Sequence, residues 1–579
     1  MQLQTLIRGG TLVDGTGADR RRADIGIAGG RIAVVAPNLR EAADAVIDAG
    51  GLIVSPGFID SHTHMETQLF WDKSAQPATW HGATTVVMGN CGLSLAPIGP
   101  AGHDFAAGLM SSVEQIPRAI IDEVVPFDWT TFGGYVSSVE RSGLPVNAAS
   151  FVGYSLVRHA VMGERAFDGR ASDDDVDHLR RGLRAALQEG ALGISYNRAI
   201  YDRDAEGRLM AGWDADWDEM RRTASVLKEF SGTMLQVIPS WAELSAGWCE
   251  RNEIELAEWT RILADIDRPM VWSAVSERDF EAQMDATRRA RAAGVMMTAG
   301  IHSIPIYTFA TLAAPGLFAS TPGCDALYDL SPRERIEALR DPAVRQRIRS
   351  VMGRERFVAY SLRHVAENGE VSLGMERTFD WSQIYDAGVA PDRFRLTESL
   401  ADTARRDGRH PVDVLLDRAL ASDLRAVFVV FVYGNLPEVT RTLLLDPATV
   451  ISSNDTGAHL MLMAQTQNTH LLDFWARQSK FLSLEQAVHL LSGRQADTFG
   501  LPDRGRLQPG LAADVIVFDE ATVGPQAPQI LDDLPGGGGS RYVSRGLGIE
   551  RVIVNGETLL ERGEPSGALP GRFLRPAAG

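Results

Sequence analysis

Cysteine is scarce. The chain has three, Cys91, Cys249 and Cys324, among 579 residues, too few and too scattered for a disulfide framework. The core must therefore hold the fold, and a reducing cytoplasmic setting suits it. Long apolar runs are also missing: no stretch of 18 apolar residues occurs, which excludes a membrane-spanning helix. The opening residues, Met1 to Gly10, lack the basic-then-apolar layout of a secretory signal. Positive charge is in deficit, with 57 Lys and Arg against 75 Asp and Glu and a net charge of −18. That balance argues against nucleic acid or an anionic membrane as a partner. No repeat of fixed period is present. The glycine tract Pro535 to Ser540 has no buried strand before it and no Lys-Ser/Thr ending, so it is a flexible loop and no phosphate cradle. What remains is a soluble globular profile, 45% hydrophobic and 23% charged, long enough for one large catalytic domain and a smaller one.

Both ends of the chain alternate short apolar runs with turns. Thr5 to Gly10, Ala23 to Ile27, Arg31 to Val35 and Leu52 to Val54 predict a small antiparallel sheet, and Ala513 to Asp519 and Ile549 to Gly556 repeat the pattern. Neither piece can bury enough surface alone, so 1–56 and 491–579 are expected to pair into one composite β-sandwich domain. Between them, 57–490 alternates β-rich runs with amphipathic helices, the pattern of a parallel α/β fold. The strands are expected at Thr84 to Gly89, Val146 to Val152, Leu192 to Ser195, Thr233 to Val237, Met270 to Ala274, Val295 to Thr298, Ala426 to Val432 and Val450 to Ser453. Helices are expected at Asp173 to Glu189 and Trp217 to Phe230. About eight parallel strands point to a (β/α)8 TIM-type barrel, with a doubly wound sheet as competitor. A lid or insertion is expected near 303–375.

The chemistry concentrates where strands end. Val54 to Met65 reads as a buried strand rising from a Pro-Gly turn and closing in His62-Thr63-His64. Residues two apart on a strand share a face roughly 6–7 Å apart at Cα, the spacing of two ligands on one metal ion. A bare His-x-His is common by chance; here an apolar strand and Asp60 precede it. Cys91 follows the next strand in Gly89-Asn90-Cys91-Gly92, where a buried cysteine could equally be an apolar filler. Asp455 follows the last strand, in Asn454-Asp455-Thr456-Gly457. A carboxylate there is costly to bury without a cation, although a helix N-cap would also suit Asp-x-Gly. Weaker candidates to line a substrate site are Arg198, able to clamp a carboxylate, His302, and the pair Arg363 and His364.

Pro56 to His64, the Gly89 to Gly92 turn, Asn454 to His459, and the tails Gly505 to Asp519, Ile553 to Gly556 and Gly567 to Arg572 resemble the amidohydrolase superfamily, in its D-aminoacylase (N-acyl-D-amino-acid deacylase) branch. The resemblance spans nearly the whole chain, loosely in the middle third. It implies a metal-bearing barrel in which His62 and His64 are the paired first-strand ligands, Cys91 the zinc-holding cysteine, and Asp455 the aspartate that binds metal and moves the proton. One departure stands out: where that family carries histidines on the fifth and sixth strands, this chain has Gln236 and Ser273. No histidine lies between His178 and His302.

Two functions follow. One is metal-dependent hydrolysis of an amide-type C–N bond, deacylating an N-acyl (D-)amino acid or related small molecule. A single divalent ion, zinc, would sit on His62, His64, Asp455 and Cys91, with Asp455 catalytic and Gln236 and Ser273 among the substrate contacts. The other is a degenerate relative that binds a small molecule or does lyase or isomerase chemistry. Homo-oligomerisation is left open.

Overall fold

In the computed structural model every residue is described except 1, 100–101, 168, 200–201, 205, 243–247, 277–278, 314–323, 361–362, 366–370, 374–375, 389–397, 434–436, 453, 458–461, 464, 538, 540 and 577–579. The strand ahead of the histidine pair, β1 (Phe58–Asp60), lies parallel to β2 (Ala83–Met88), and β2 to β3 (Asn147–Ser150). The same run continues as Val152–Gly153 and pairs with β4 (Gly193–Asn197). The parallel set goes on through β5 (Met234–Ile238), β6 (Met270–Trp272), β7 (Met297–Ile301) and β8 (Thr449–Ile451). Beyond β8, Thr456 makes a parallel bridge to Thr63. There the His64 N–H donates to the Thr456 carbonyl at 2.9 Å, and the Asp455 N–H to the His62 carbonyl at 3.0 Å.

Local sequence explains the helices between these strands. Ser172 and Asp175 form a reciprocal capping box that starts helix Asp173–Gln188, and Val176, Leu179, Leu183 and Leu187 recur at helical spacing as its buried stripe. Asp216 caps Trp217–Ala224, which tightens into a 3₁₀ turn over Ser225–Glu229 instead of running on as α-helix to Phe230. Alternation along the strands sorts the core into two layers. Ile194, Tyr196, Leu235, Val237, Met270 and Trp272 pack outward against helix residues such as Leu183, Trp259 and Ile262. Ile59, Val87, Ala149, Met234, Val271 and Val450 gather inward in a separate cluster. The chain is thus a mixed α/β protein, and none of its described helices is long and apolar enough to cross a membrane.

The two chain ends meet in one seven-stranded sheet, where Ile53–Pro56 runs antiparallel to Val515–Phe518 with Val54 opposite Val517, and Ile549–Val554 follows. A four-stranded sheet of residues 3–48 packs on it through Ile7, Ile25, Val54, Val515, Val517 and Ile553. In that smaller sheet Leu3–Arg8 and Ala43–Asp48 pair in parallel, unlike the all-antiparallel expectation. Alternating apolar residues satisfy either direction equally well.

A second expectation needs correction. The apolar run Ala426 to Val432 is not part of the parallel set: Val427–Tyr433 runs antiparallel to Ile306–Ala310 and Ile384–Gly388. A strand buried on both faces shows the same continuous apolar run in either kind of sheet. It belongs to a long excursion between β7 and β8 that has its own core, including Ala310, Leu339, Phe357, Phe428 and Val430. The segment 303–375 falls inside this excursion. Arg363 and His364 lie on the hairpin strand Arg363–Val365, and their side chains are outside the described residues.

Asp514 ties the tail to the parallel strands. Its carboxylate, buried with Arg504, meets Arg504 Nη1 at 2.5 Å, accepts from Asn147 Nδ2 at 3.1 Å, and accepts from the Asn555 N–H at 2.8 Å. Asn147 stands on β3, and its Oδ1 accepts from Asn555 Nδ2 at 2.7 Å and from the Arg572 N–H at 3.2 Å. Asp514→Ala leaves Arg504 buried without its partner, and should cost about 3–5 kcal/mol. The urea midpoint reads this directly, and a midpoint equal to wild type would show that the hub contributes nothing to stability.

Candidate metal centre

His62 and His64 leave the end of β1 on one side while Thr63 turns away, its N–H and hydroxyl donating to the Val87 carbonyl at 3.0 and 2.9 Å. Both histidines are buried, with ring centroids 5.5 Å apart. Cys91 arrives on a tight turn after β2 in which Gly89, Cys91 and Gly92 have φ of 74°, 58° and 70°. A Cβ on Gly89 would sit 2.2 Å from the Phe151 carbonyl oxygen, so only glycine fits. Asp455 enters from beyond β8, also left-handed at φ 46°. Two non-glycine residues in that region, each costing on the order of 1 kcal/mol or more, are held by what they reach.

Three donor atoms, one each from His62, His64 and Cys91, gather within 4.8 Å of one another, and the Asp455 carboxylate approaches the two histidines. His62 Nε2 is 3.1 Å from Cys91 Sγ and 3.4 Å from Asp455 Oδ1; His64 Nε2 is 3.7 Å from the sulfur and 3.9 Å from the same oxygen. Tetrahedral zinc with ordinary Zn–N and Zn–S bonds separates its ligand atoms by roughly 3.3–3.7 Å; the His62–Cys91, His64–Cys91 and His62–Asp455 separations are close to this, and Asp455 stands on the histidine side of the cluster. The electrostatics fit too. Burial pushes Asp455, Asp60 and Glu66 up to about 7 and Asp202 to about 6, and the charges of Asp60 and Asp202 add to the burial at Asp455. Burial, followed by the nearby carboxylates, raises the Cys91 thiol well above its usual value, and raises Glu114 likewise. Among the described residues no Lys or Arg forms an ion pair with Asp60, Glu66, Asp202 or Asp455. A divalent cation would reverse this imbalance and favour the thiolate and carboxylate forms.

Other groups orient these donors. His64 Nδ1 lies 3.3 Å from Glu114 Oε1, and His62 Nδ1 lies 3.4 Å from Ser273 Oγ. Contacts at Nδ1 turn each Nε2 toward the common point. Gln236 Oε1 accepts from the Cys91 N–H at 2.9 Å, Asn197 Nδ2 donates to the Cys91 carbonyl at 3.0 Å, and Asn197 Nδ2 also donates to Asp202 Oδ2 at 2.6 Å. Glu66 Oε1 accepts from the Gly89 N–H at 2.6 Å.

The sequence-derived candidates therefore divide. His62, His64, Cys91 and Asp455 come together, with Gln236 and Ser273 against them. Arg198 is engaged elsewhere: half-buried, it lies 3.4 Å from Glu255 through Nε, donates from Nη1 to the Ala215 carbonyl at 3.1 Å, and stacks 4.5 Å over the Trp217 ring. His302 directly follows β7 and is half-buried. His459 is outside the described residues. Glu66, Glu114, Asn197 and Asp202 were not anticipated. Asp202 follows the end of β4 closely, which was a usable signal; Glu114 comes from a stretch with no pattern to mark it.

The amidohydrolase family model matches residues 45–250 and 362–560, and the chain belongs to that family. Within it the chain falls in the D-aminoacylase branch. The D-aminoacylase of Alcaligenes xylosoxydans xylosoxydans is 27% identical over 576 residues, covering 99% of this chain and 98% of the relative. The N-acyl-D-glutamate deacylase of the same organism is 28% identical over 577 residues, covering 99% and 97%. A solved D-aminoacylase, described by its binuclear metal centre with one-metal activation and second-metal attenuation, superposes with a TM-score of 0.63 at 25% identity, covering 99% of this chain and all of that one. A D-hydantoinase structure shares the fold at a TM-score of 0.50 and 14% identity, covering 100% and 99%.

Glu114→Gln should weaken zinc binding about 10–100-fold by removing the charge behind His64, measured by competition with a chromophoric chelator. Unchanged affinity would mean that Glu114 does not act through His64.

Proposed function

We propose that the chain is a zinc-dependent hydrolase that deacylates N-acyl-D-amino acids. The observation that carries this is the cluster of two imidazoles and a thiol at the ends of β1 and β2, with the Asp455 carboxylate from beyond β8 against the two imidazoles. His62, His64, Cys91 and Asp455 would hold a single ion. The bound ion would supply Lewis-acid polarisation of the acyl group and a lowered pKa for water.

The protein's own groups do the rest. Asp455, with its side chain 21% exposed while the histidines are 1–2% exposed, is the ligand that solvent and substrate can reach. It takes the proton of the attacking water and passes it to the leaving nitrogen as the C–N bond breaks. His62 and His64, braced at Nδ1, keep their orientation throughout. Gln236 holds the Cys91 turn and Ser273 sits against His62, so neither stands free as a ligand for a second ion, and neither amide nor hydroxyl oxygen is a good zinc donor. One ion per chain is the expected stoichiometry.

The parallel order β1 to β8, with the Thr63–Thr456 bridge joining the ends, supports a closed (β/α)8 barrel over 57–490. The mixed sheet of both chain ends supports a composite β-domain of 1–56 and 491–579. Three free cysteines, Cys91, Cys249 and Cys324, suit a reducing cytoplasm.

Reconstitution with zinc followed by a screen of N-acyl D- and L-amino acids, dipeptides and cyclic amides tests the activity. Hydrolysis of N-acyl-D-amino acids with about one zinc per chain is the expected result; near-zero metal after reconstitution would leave the non-hydrolytic reading. Asp455→Asn should fold normally, judged by circular dichroism, and lose at least about 10²-fold in kcat because the proton acceptor is gone. Full activity in Asp455→Asn would sink the assigned mechanism.

A further inference from the structure

Met234 belongs to the inward cluster of the parallel strands, and Gln236, two residues further along β5, shares that face nearer the carboxyl end. Its side chain is buried, the residue being 1% exposed. Only half of its amide is used. Oε1 accepts from the Cys91 N–H at 2.9 Å, whereas Nε2 makes no hydrogen bond among the described residues. The orientation is fixed, because exchanging oxygen and nitrogen would set the amide's N–H against the N–H of Cys91. Ser195, opposite Gln236 on β4, also has a buried Oγ without a partner. Two buried donors without acceptors, side by side, mark a place where an acceptor belongs. The place adjoins the cluster of His62, His64 and Cys91, since the residue that Gln236 holds by its N–H is the one whose sulfur lies 3.1 Å from His62.

We infer that Gln236 Nε2 is the hydrogen-bond donor to the acyl oxygen of the substrate, and that it meets the negative charge growing there as water adds. This rests on the deacylase reading. The amide being cleaved offers one good acceptor, its acyl oxygen. The carboxylates around the site, Glu66, Glu114, Asp202 and Asp455, would repel an oxyanion, so a neutral N–H is the group suited to face it. The step balances. Water's oxygen bonds to the acyl carbon, its proton goes to Asp455, and the carbonyl π pair moves onto the oxygen held by Gln236. That pair then returns, the C–N bond breaks, and Asp455 delivers the proton to the nitrogen, giving a carboxylic acid and an amine.

Gln236→Glu tests this cleanly, because it keeps an oxygen for the Cys91 N–H and removes the N–H donors; Gln236→Met matches the length with neither. In zinc-reconstituted protein, Gln236→Glu should lower kcat about 10²–10³-fold with KM within about threefold. A phosphonate analogue of the substrate, measured by calorimetry, should lose affinity by a similar factor, while zinc per chain by elemental analysis stays at the wild-type level. A kcat within about threefold of wild type overturns the inference. So does loss of zinc alongside loss of activity in both variants, which would show that Gln236 merely braces Cys91. A wild-type protein inactive on every N-acyl-D-amino acid overturns the deacylase reading itself, and is distinguishable because it fails before any substitution is made.

Discussion

The structure turns on negative charge held out of water. Asp60, Glu66, Glu114 and Asp455 lie around two buried histidines, and burial drives their carboxyl groups toward the neutral form, helped at Glu114 and Asp455 by the neighbouring carboxylates. Such a cluster is stable in the ionised state only around a cation, and Arg198, on the loop after β4, is committed to Glu255. The left-handed backbone at Cys91 and Asp455 follows from the same demand. Each residue is bent out of the ordinary chain path at a strand end so that its side chain reaches the point the histidines define.

How much of this could be read beforehand depended on whether a residue's role was local. His62 and His64 were legible because period two along a strand fixes their common direction without knowledge of anything else. Cys91 and Asp455 were legible by position, each just past an apolar strand. The parallel order from β1 to β7 also came from local alternation of strand and helix. Glu114 was not legible, since its only distinction is that folding brings it to His64 from a segment without strand or motif. Arg198 looked available because sequence does not reveal Glu255 and Trp217 waiting beside it. The run at Ala426 to Val432 was read as one more parallel strand because hydrophobicity on both faces reports burial, while strand direction depends on neighbours far away in the chain.

Gln236 illustrates a different limit. Its residue type argues against a role as a metal ligand. The two ends of its amide have different fates, one oxygen bound to the Cys91 backbone and one nitrogen left over. That split is invisible in sequence, and it separates a residue that shapes the site from one that also faces the substrate.

The pairing of Val54 with Val517 has a consequence for how the molecule is made. A ribosome adding about 5–20 residues per second needs roughly 25–90 seconds to extend the chain from one partner to the other. Throughout that time Ile53–Pro56, which is buried in the finished protein, has an open edge with its ladder partner not yet synthesised. Closing so distant a contact is slow in loop entropy as well as in synthesis. The nascent chain therefore carries a sticky strand directly ahead of its histidine pair for most of its elongation. Yield of soluble protein should consequently track chaperone capacity more closely than it tracks the stability of the finished fold.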